Sequence, residues 1–358
     1  MTLRTRRLLF CFFVLVFLVA TPGVLFYAAG YSFDWQNARL IKTGAFYFDS
    51  LPKNAQIFVD NELSGVTPNF ISRLSPEQYL VRISKNGYTT WQKSLPVEEQ
   101  ITTEARNILL IPKSPNITWV ADTASSTEKY FLTQAQKSAK QLTDKIATST
   151  KLNFANQAIY QNNLYVLQKP NLILYRADLS GAVKQQLSRE PLATSTIPYQ
   201  IKMSPEQTAV FEPDGKLYLL NKDTGTFKFL ADGVQGADFS PDNEKMFWWT
   251  AHEIWVYWLK DVYGQPYRKA GDRELITRYS DKITQAVWFA KTSENIIYGA
   301  ADSNGQTQIK ITELDGRDQR NTFDIWTAKD PDIYWNQNND LLYVLTEGKL
   351  YSADLLSS

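Results

Sequence analysis

The stretch DFSPDNEKMFWWTAHEIWVYWL, residues 238–259, contains two short apolar segments separated by polar turn residues. In the second segment, Trp255 and Tyr257 lie on the face opposite to Val256 and its apolar neighbours. Such alternation predicts a β-strand, and two apolar faces predict a strand packed between neighbouring sheets. We therefore expect the tryptophans to lie in the core. An aromatic surface for a sugar or a partner protein is the alternative.

The same order of turns and strands recurs through residues 113–358. Apolar residues that close each unit lie 43 to 47 residues apart: Leu142, Leu187, Leu230, Ile276 and Phe323. A second series opens each unit at intervals of 36 to 50 residues: Phe154, Met203, Phe239, Phe289 and Trp335. A period of about 45 residues is typical of a four-stranded propeller blade. The repeat predicts an all-β C-terminal domain, a β-propeller with six blades favoured and five as the alternative.

Turn residues support this interpretation. Tight hairpins are expected at Asp214-Gly215, Thr224-Gly225, Asn304-Gly305 and Asp315-Gly316. The turn Ser240-Pro241-Asp242-Asn243 resembles the S-P-D-G turns in the propeller repeats of periplasmic and surface proteins. The first and last repeat units are both short, which predicts a ring closed by strands from both ends of the repeat region.

The N-terminus predicts a membrane segment. Arg4, Arg6 and Arg7 precede Leu8–Ala29, which carries no charged residue for 22 positions. At about 1.5 Å per residue, this length spans the hydrocarbon core of roughly 30 Å. We expect a cytoplasmic basic segment at 1–7, an uncleaved transmembrane anchor at 8–29, and a juxtamembrane linker at 30–43. The positive-inside rule places the bulk of the chain outside the cytoplasm. A cleaved signal peptide is the alternative.

Residues 44–112 read as a small antiparallel β-sandwich, because short alternating segments are separated by turn residues. The runs PKNAQIFVDNELSGVTP (52–68) and LSPEQYLVRISKNGY (74–88) resemble the PEGA domain family. Gly65, Thr67 and Pro68 fit its G-x-T-P turn, whereas Lys53-Asn54 replace the Glu-Gly of its name-giving tetrapeptide. The resemblance implies an extracytoplasmic module of envelope proteins without catalytic residues.

The acidic cluster Asp60-Asn61-Glu62 raises the question of a metal site. It follows a strand, and Gly65 tolerates a positive φ, as a hairpin turn requires. The alternating oxygen ligands and distal glutamate of a calcium loop are missing from the sequence pattern. We therefore expect a solvated turn.

The amino-acid composition limits the kinds of functional site that the chain can form. Lys and Arg total 38 against 37 Asp and Glu, so no basic field predicts nucleic-acid binding. The one cysteine, Cys11, lies in the apolar N-terminal segment, which excludes an intrachain disulfide and a thiolate zinc site. The one histidine, His252, lies between two strand segments and is interpreted as a turn residue. No catalytic, cofactor-binding or metal-binding residue is predicted, and no cofactor is expected.

These features predict a membrane-anchored extracytoplasmic envelope protein that binds a surface protein or glycan through its propeller and has no enzymatic activity. Its expected partners are the membrane, through residues 8–29, and an envelope protein or cell-surface glycan. One alternative is a propeller glycosidase or lyase that uses carboxylates in the central channel. Another is an envelope assembly factor that grips extended client strands. Carboxylates facing the channel would favour the enzyme, and an apolar groove would favour client binding.

Overall fold

The structure is a computed structural model that describes residues 3–34, 38–122 and 154–357. It contains two compact units. The first comprises Met1–Leu110 and Arg317–Gln319, and the second comprises Ile111–Gly316 and Arg320–Ser358.

The first unit begins with helix α1, Leu3–Ala28, which has no buried residue. The helix starts earlier than the apolar segment, so the three N-terminal arginines lie in its first turns. It continues through Pro22, and the hydroxyl of Thr21 donates a hydrogen bond of 2.6 Å to the carbonyl oxygen of Phe17. Among the described residues, α1 is the one helix that is both long enough and apolar enough to cross a membrane. N-terminal signal sequences share this property.

A short hairpin follows the helix. Strand β1, Tyr31–Asp34, pairs antiparallel with β2, Arg39–Lys42. The sequence predicts a linker here, but the described part of residues 30–43 is largely paired. The hydroxyl and the N–H of Thr43 both donate to the carbonyl oxygen of Gly30, at 2.8 and 2.9 Å, which closes the base of the hairpin.

The remainder of the first unit is a β-sandwich of seven strands. One sheet has three strands in the order β6-β3-β9: β3 Gly44–Leu51, β6 Asn69–Leu74 and β9 Thr102–Leu109. The other sheet has four strands in the order β5-β4-β7-β8: β4 Gln56–Val59, β5 Glu62–Val66, β7 Gln78–Ser84 and β8 Thr90–Pro96. Alternate residues of each sheet, such as Phe46, Phe48, Ile57 and Trp91, form a shared core.

The prediction of a purely antiparallel sandwich is wrong at one pair of strands. Strands β3 and β9 run parallel, with Ala45 opposite Thr102. The connection after β8 crosses to the other sheet and passes over Gly44, where an added Cβ would lie 2.3 Å from the carbonyl oxygen of Glu98. Strand β9 therefore starts beside the start of β3 and follows the same direction.

The second unit consists of four-stranded antiparallel sheets. Blade 1 contains β11 Phe154–Tyr160, β12 Asn163–Gln168, β13 Ile173–Ala177 and β14 Val183–Gln186. Blade 2 contains β15 Gln200–Met203, β16 Thr208–Phe211, β17 Gly215–Asn221 and β18 Thr226–Val234. Blade 3 contains β19 Gly236–Phe239, β20 Lys245–Trp249, β21 Glu253–Trp258 and β22 Arg273–Arg278. Blade 4 contains β23 Lys282–Trp288, β24 Asn295–Ala301, β25 Gln306–Glu313 and β26 Thr322–Lys329.

The closing sheet, blade 5, combines strands that are distant in the sequence. It contains β27 Asp332–Asn336, β28 Leu341–Thr346, β29 Lys349–Asp354 and, on its outer edge, β10 Asn116–Asp122. The first strands of successive blades lie side by side, from β11 to β27, as in a propeller. The described residues thus form five blades. The first repeat unit, with its marker Leu142, falls largely outside the described residues, so six blades in the whole chain remains a prediction.

Apolar side chains fill the space between blades. Phe247 of blade 3 packs against Trp288 of blade 4, with ring centroids 5.0 Å apart. Trp248 and Trp255 stack within blade 3 at 6.2 Å with an interplanar angle of 5°. Trp248 and Trp258 are buried, which confirms the core interpretation for them. Trp119 of β10 is different, because 56% of it is exposed.

Candidate functional site

The acidic cluster in the first unit is a hairpin turn. Asp60 and Asn61 have positive φ angles of 47° and 68°, and they connect β4 to β5. The Asp60 carboxylate accepts a hydrogen bond of 2.8 Å from the N–H of Leu80, so it braces the turn against the next strand. Gly65 lies within β5 and not in the turn, beside a register shift; its φ is positive, 142°, and an added Cβ there would lie 2.1 Å from Nδ2 of Asn69. Across the described ranges, no three His, Cys, Asp or Glu side chains are grouped to hold a metal ion.

His252 lies on the exposed turn between β20 and β21. Its Nδ1 is 3.3 Å from the carbonyl oxygen of Asp281, and the tautomer sets the direction of that hydrogen bond. The structure therefore places the single histidine at a turn, as predicted from the sequence.

The first strands of the blades carry few acidic residues. In β11, β15, β19, β23 and β27, the acidic residues are Asp238 and Asp332. Asp238 on β19 has a carboxylate oxygen 3.9 Å from Nζ of Lys202 on β15. The side-chain amide of Gln285 on β23 donates to the carbonyl of Ile333 and accepts from its N–H, both at 2.8 Å. These contacts connect neighbouring blades through charge and amide pairing.

A polar cleft of about 450 Å³ lies between blades 1 and 2. On the blade 1 side, Arg176 of β13 lies opposite Tyr165 of β12 and Gln185 of β14, so these three side chains form one row across the sheet. On the blade 2 side, Leu220 and Lys222 contribute from the end of β17 and the residues after it. We call this space the blade 1–2 cleft.

Three cationic side chains line the blade 1–2 cleft: Arg176, Arg189 and Lys222. Among its lining residues, Asp223 is the only acidic one. Nε of Arg176 is buried and has no hydrogen-bond partner among the described residues. A buried donor without a partner is costly, because it has lost its hydration without replacing it. Since Nε is closed to solvent, a ligand in the cleft would contact the other atoms of the Arg176 side chain, which lines it.

The hairpin between β17 and β18 fixes the backbone that carries Arg189. The N–H of Arg189 donates a hydrogen bond of 2.7 Å to the carbonyl oxygen of Gly225. Gly225 has a φ of 69°, and an added Cβ would lie 2.9 Å from Cγ of Arg189. A larger residue would be strained and would push the arginine stem away. Gly225 belongs to the predicted Thr224-Gly225 turn, so a residue that the sequence marks as a turn glycine also positions a side chain of the cleft.

Lys222 lies in a mixed electrostatic environment. Burial lowers the pKa of its ammonium group, and the carboxylate of Glu206 opposes that shift. Glu206 itself forms an ion pair of 2.9 Å with Lys260. The negative charge near Lys222 is thus shared with a second cation, and the cleft retains an excess of positive charge.

Lys245 forms a separate charged cluster between blades 3 and 4. It is 1% exposed, and its Nζ lies 3.0 Å from Oδ2 of Asp242 and 2.8 Å from Oε1 of Glu294. Burial opposes the ammonium form, but the two carboxylates outweigh this and raise the pKa of Lys245. Burial raises the pKa of Glu294 against the attraction of the same ammonium group. Asp242 belongs to the S-P-D-N turn, so this turn connects two blades as well as reversing the chain.

A second cleft of about 410 Å³ adjoins the Ala193–Thr196 loop. Leu172, Ile197 and Tyr199 line it, and the hydroxyl of Ser195 donates to the carboxylate of Glu212. No histidine lies among its lining residues, so it lacks the serine–histidine pair of a hydrolase.

The sequence interpretation identified no site residue and so missed the cations of the blade 1–2 cleft. Arg176, Arg189 and Lys222 come from three segments that only the packing of blades 1 and 2 brings together. A partial signal was present, because Arg189 lies in the QQLSRE segment that ends one repeat unit.

A comparison with known protein families supports the assignment of the sandwich in the first unit. A family described as "PEGA domain" matches residues 43–109. The comparison with curated proteins gave no match.

Similar solved structures include β-propeller proteins. The Cps50 (Swd1) propeller domain of Myceliophteria thermophila is 12% identical, with a TM-score of 0.39, over 55% of this chain and 63% of that one. Kluyveromyces lactis Hsv2 is 11% identical, with a TM-score of 0.40, over 88% of this chain and 76% of that one. XC5397 of Xanthomonas campestris, described as a gluconolactonase, is 14% identical, with a TM-score of 0.35, over 56% of this chain and 71% of that one. With the PEGA match and the strand order described above, the chain combines a PEGA domain with a β-propeller.

Proposed function

We propose that this protein is a membrane-anchored, extracytoplasmic binding protein whose propeller recognises an envelope protein or a cell-surface glycan without transforming it. The blade 1–2 cleft carries the proposal. It combines an accessible volume of about 450 Å³ with three cationic side chains against one acidic lining residue. A few convergent polar groups in a concave surface are typical of a ligand site.

The anchoring part of the proposal rests on α1. The basic residues precede the apolar segment, so the positive-inside rule favours an N-terminus in the cytoplasm and both β-units outside it. The PEGA match is compatible with that location, since the family resemblance implies an extracytoplasmic module.

The non-enzymatic part rests on the chemistry of the cleft walls. Acid/base catalysis on a glycoside requires two carboxyl groups about 5 to 9.5 Å apart. The blade 1–2 cleft offers Asp223 as its one acidic lining residue and has no histidine there. Its cations are suited to hold an anion in place, and we expect binding without turnover.

The test is affinity capture with the purified full-length chain in detergent. Wild type, Arg176→Gln and Arg278→Gln would be incubated with a solubilised envelope extract, and the captured proteins and glycans would be identified by mass spectrometry. Arg278 is a matched control, because it is 64% exposed and pairs with Glu253 away from the cleft. We expect the same ligand on wild type and on the Arg278 variant.

A parallel panel of glycosides, esters, peptides and phosphates would be assayed for turnover. Reproducible turnover that is lost on substitution of a propeller carboxylate would refute the proposal in favour of an enzyme. Failure of the wild-type chain to retain any envelope component above the bead background would refute it as well.

A further inference from the structure

The charge and hydrogen-bonding chemistry of the blade 1–2 cleft identify the kind of ligand that suits it. Three cations against one carboxylate favour an anion. A guanidinium group matches the two oxygens of a carboxylate or phosphate in its planar fork, and Arg176 is one of the side chains that line the cleft.

The remaining polar lining favours a ligand with many hydroxyl groups. Four side-chain amides face the cleft, those of Gln161, Asn163, Gln185 and Gln186. The amide of Asn163 donates to the carbonyl of Gln161 at 2.9 Å, and that of Gln186 donates to the carbonyl of Ser188 at 2.8 Å. Each of these two amides keeps an acceptor oxygen, and a hydroxyl group can donate to it while accepting from a neighbouring donor.

Size and wall chemistry separate a sugar from a peptide. A cleft of about 450 Å³ has the volume of a small-molecule pocket and holds one or two sugar rings. Tyr165, in the same row as Arg176, offers an aromatic surface within the polar wall. A peptide bound by strand addition would instead use an exposed sheet edge and apolar side-chain pockets. Few apolar side chains line this cleft, among them Met203 and Leu220.

We infer that the blade 1–2 cleft binds an anionic sugar unit, with its carboxylate or phosphate group on Arg176 and its hydroxyl groups on the surrounding amides. This inference rests on the proposed binding function and specifies its ligand. Arg189 and Lys222 then supply long-range attraction, and Gly225 keeps the stem of Arg189 against the wall.

The experiment is isothermal titration calorimetry on the full-length chain in detergent at low salt. The probes are a glucuronate-containing disaccharide, a disaccharide phosphate, a neutral disaccharide of the same size, the dipeptide Glu-Glu and inorganic phosphate. We expect one or both anionic disaccharides to bind, and their comparison tells a carboxylate from a phosphate. Binding to the neutral disaccharide and the dipeptide should be at least about tenfold weaker, since each lacks one of the two recognition elements.

Variants connect that binding to the cleft. Arg176→Gln should weaken binding of the anionic disaccharide by about tenfold or more, because a charge-assisted hydrogen bond is lost. Lys222→Gln should weaken binding of the same disaccharide less, and it should reduce the dependence of that binding on salt concentration. Arg278→Gln should bind as wild type does. Circular dichroism melts would confirm that each variant is folded, and the Lys222 variant keeps the test decisive if the Arg176 variant is not.

The inference is overturned if no disaccharide binds at millimolar concentration, if Glu-Glu or the neutral sugar binds as tightly as the anionic sugars, or if inorganic phosphate alone binds as tightly. It is also overturned if both cleft variants bind as wild type does. These results differ from failure of the proposed function. Capture of an envelope ligand that is unaffected by Arg176→Gln would refute the cleft and leave the binding function in place. Cleavage of a bound anionic sugar would refute the non-enzymatic function and leave the ligand class in place.

Discussion

Neutralising the two carboxylates around Lys245 is expected to destabilise the second unit by about 3 kcal/mol. Loss of a partner leaves a buried charge uncompensated, which costs about 3–5 kcal/mol. The double variant Asp242→Asn/Glu294→Gln falls at the lower end, because the amide oxygen at position 294 can still accept a hydrogen bond at 2.8 Å from Nζ. At position 242 the single amide oxygen can accept either from Nζ, which lies 3.0 Å from Oδ2, or from the N–H of Glu244, which lies 3.0 Å from Oδ1.

The measurement is hydrogen–deuterium exchange by mass spectrometry on β20 and β21, which reports local opening without assuming that the whole chain unfolds in one step. A loss of about 3 kcal/mol corresponds to roughly a hundredfold faster exchange of their most protected amides. Asp340→Asn is the control, because its partner Lys291 is 44% exposed, and an exposed pair contributes less than about 1 kcal/mol.

Adding Lys245→Met to the double variant should restore most of the lost protection, because the uncompensated charge disappears while the apolar stem remains. Wild-type exchange rates in the double variant, or no recovery in the triple variant, would show that the cluster does not act as a buried ion pair.

The pH dependence of exchange provides a further check. The carboxylates raise the pKa of Lys245, so its stabilising effect is complete below the ordinary lysine value of about 10.4 and is lost as pH rises through the raised value. The wild type should therefore lose protection above about pH 10.4 more steeply than the triple variant.

Other expected outcomes concern the anchor, the acidic turn and the closing blade. Protease added to intact cells should digest the chain after about Gly30 and spare the N-terminus, whereas a mature chain that begins just after Gly30 would indicate signal cleavage. Replacing Asp60 and Glu62 with Asn and Gln should change the melting free energy by less than about 1 kcal/mol, and calcium-dependent melting that this double variant abolishes would contradict the turn. Gly65→Val should destabilise the sandwich more, because its Cβ would displace the side chain of Asn69 and valine resists a positive φ. Truncation before Tyr334 should abolish cooperative unfolding of the second unit, measured by calorimetry, and a sharp transition in the truncated chain would argue against closure.

The elements of the fold could be predicted because their signals are local. Alternation in EIWVYWL predicted strand β21, and the S-P-D-N turn marked the end of β19. The parallel pairing of β3 and β9 could not be read in this way, since it depends on a crossover above Gly44. Strands β5 and β6 of the sandwich could not be recognised from the sequence either. Their apolar residues Leu63, Val66 and Phe70 are exposed, so they do not follow a simple inside–outside pattern.

The candidate site was less predictable for a related reason. The side chains of Arg176 and Lys222 belong to different blades, and neither position departs from an ordinary strand or turn pattern. Only blade packing shows that a guanidinium nitrogen is left buried there. Periodicity could therefore identify the blades but not the chemistry of the space between them.

The pairing of β10 with β29 also constrains the order of events during biogenesis. Strand β10 leaves the ribosome before any of the other blades, but its partner is the last strand of the described chain. Until Lys349–Asp354 emerges, β10 presents an unpaired edge that is open to mispairing and proteolysis. Pairing of β10 within blade 5 therefore requires synthesis to reach β29, and chains terminated before that strand would carry an exposed edge open to proteases.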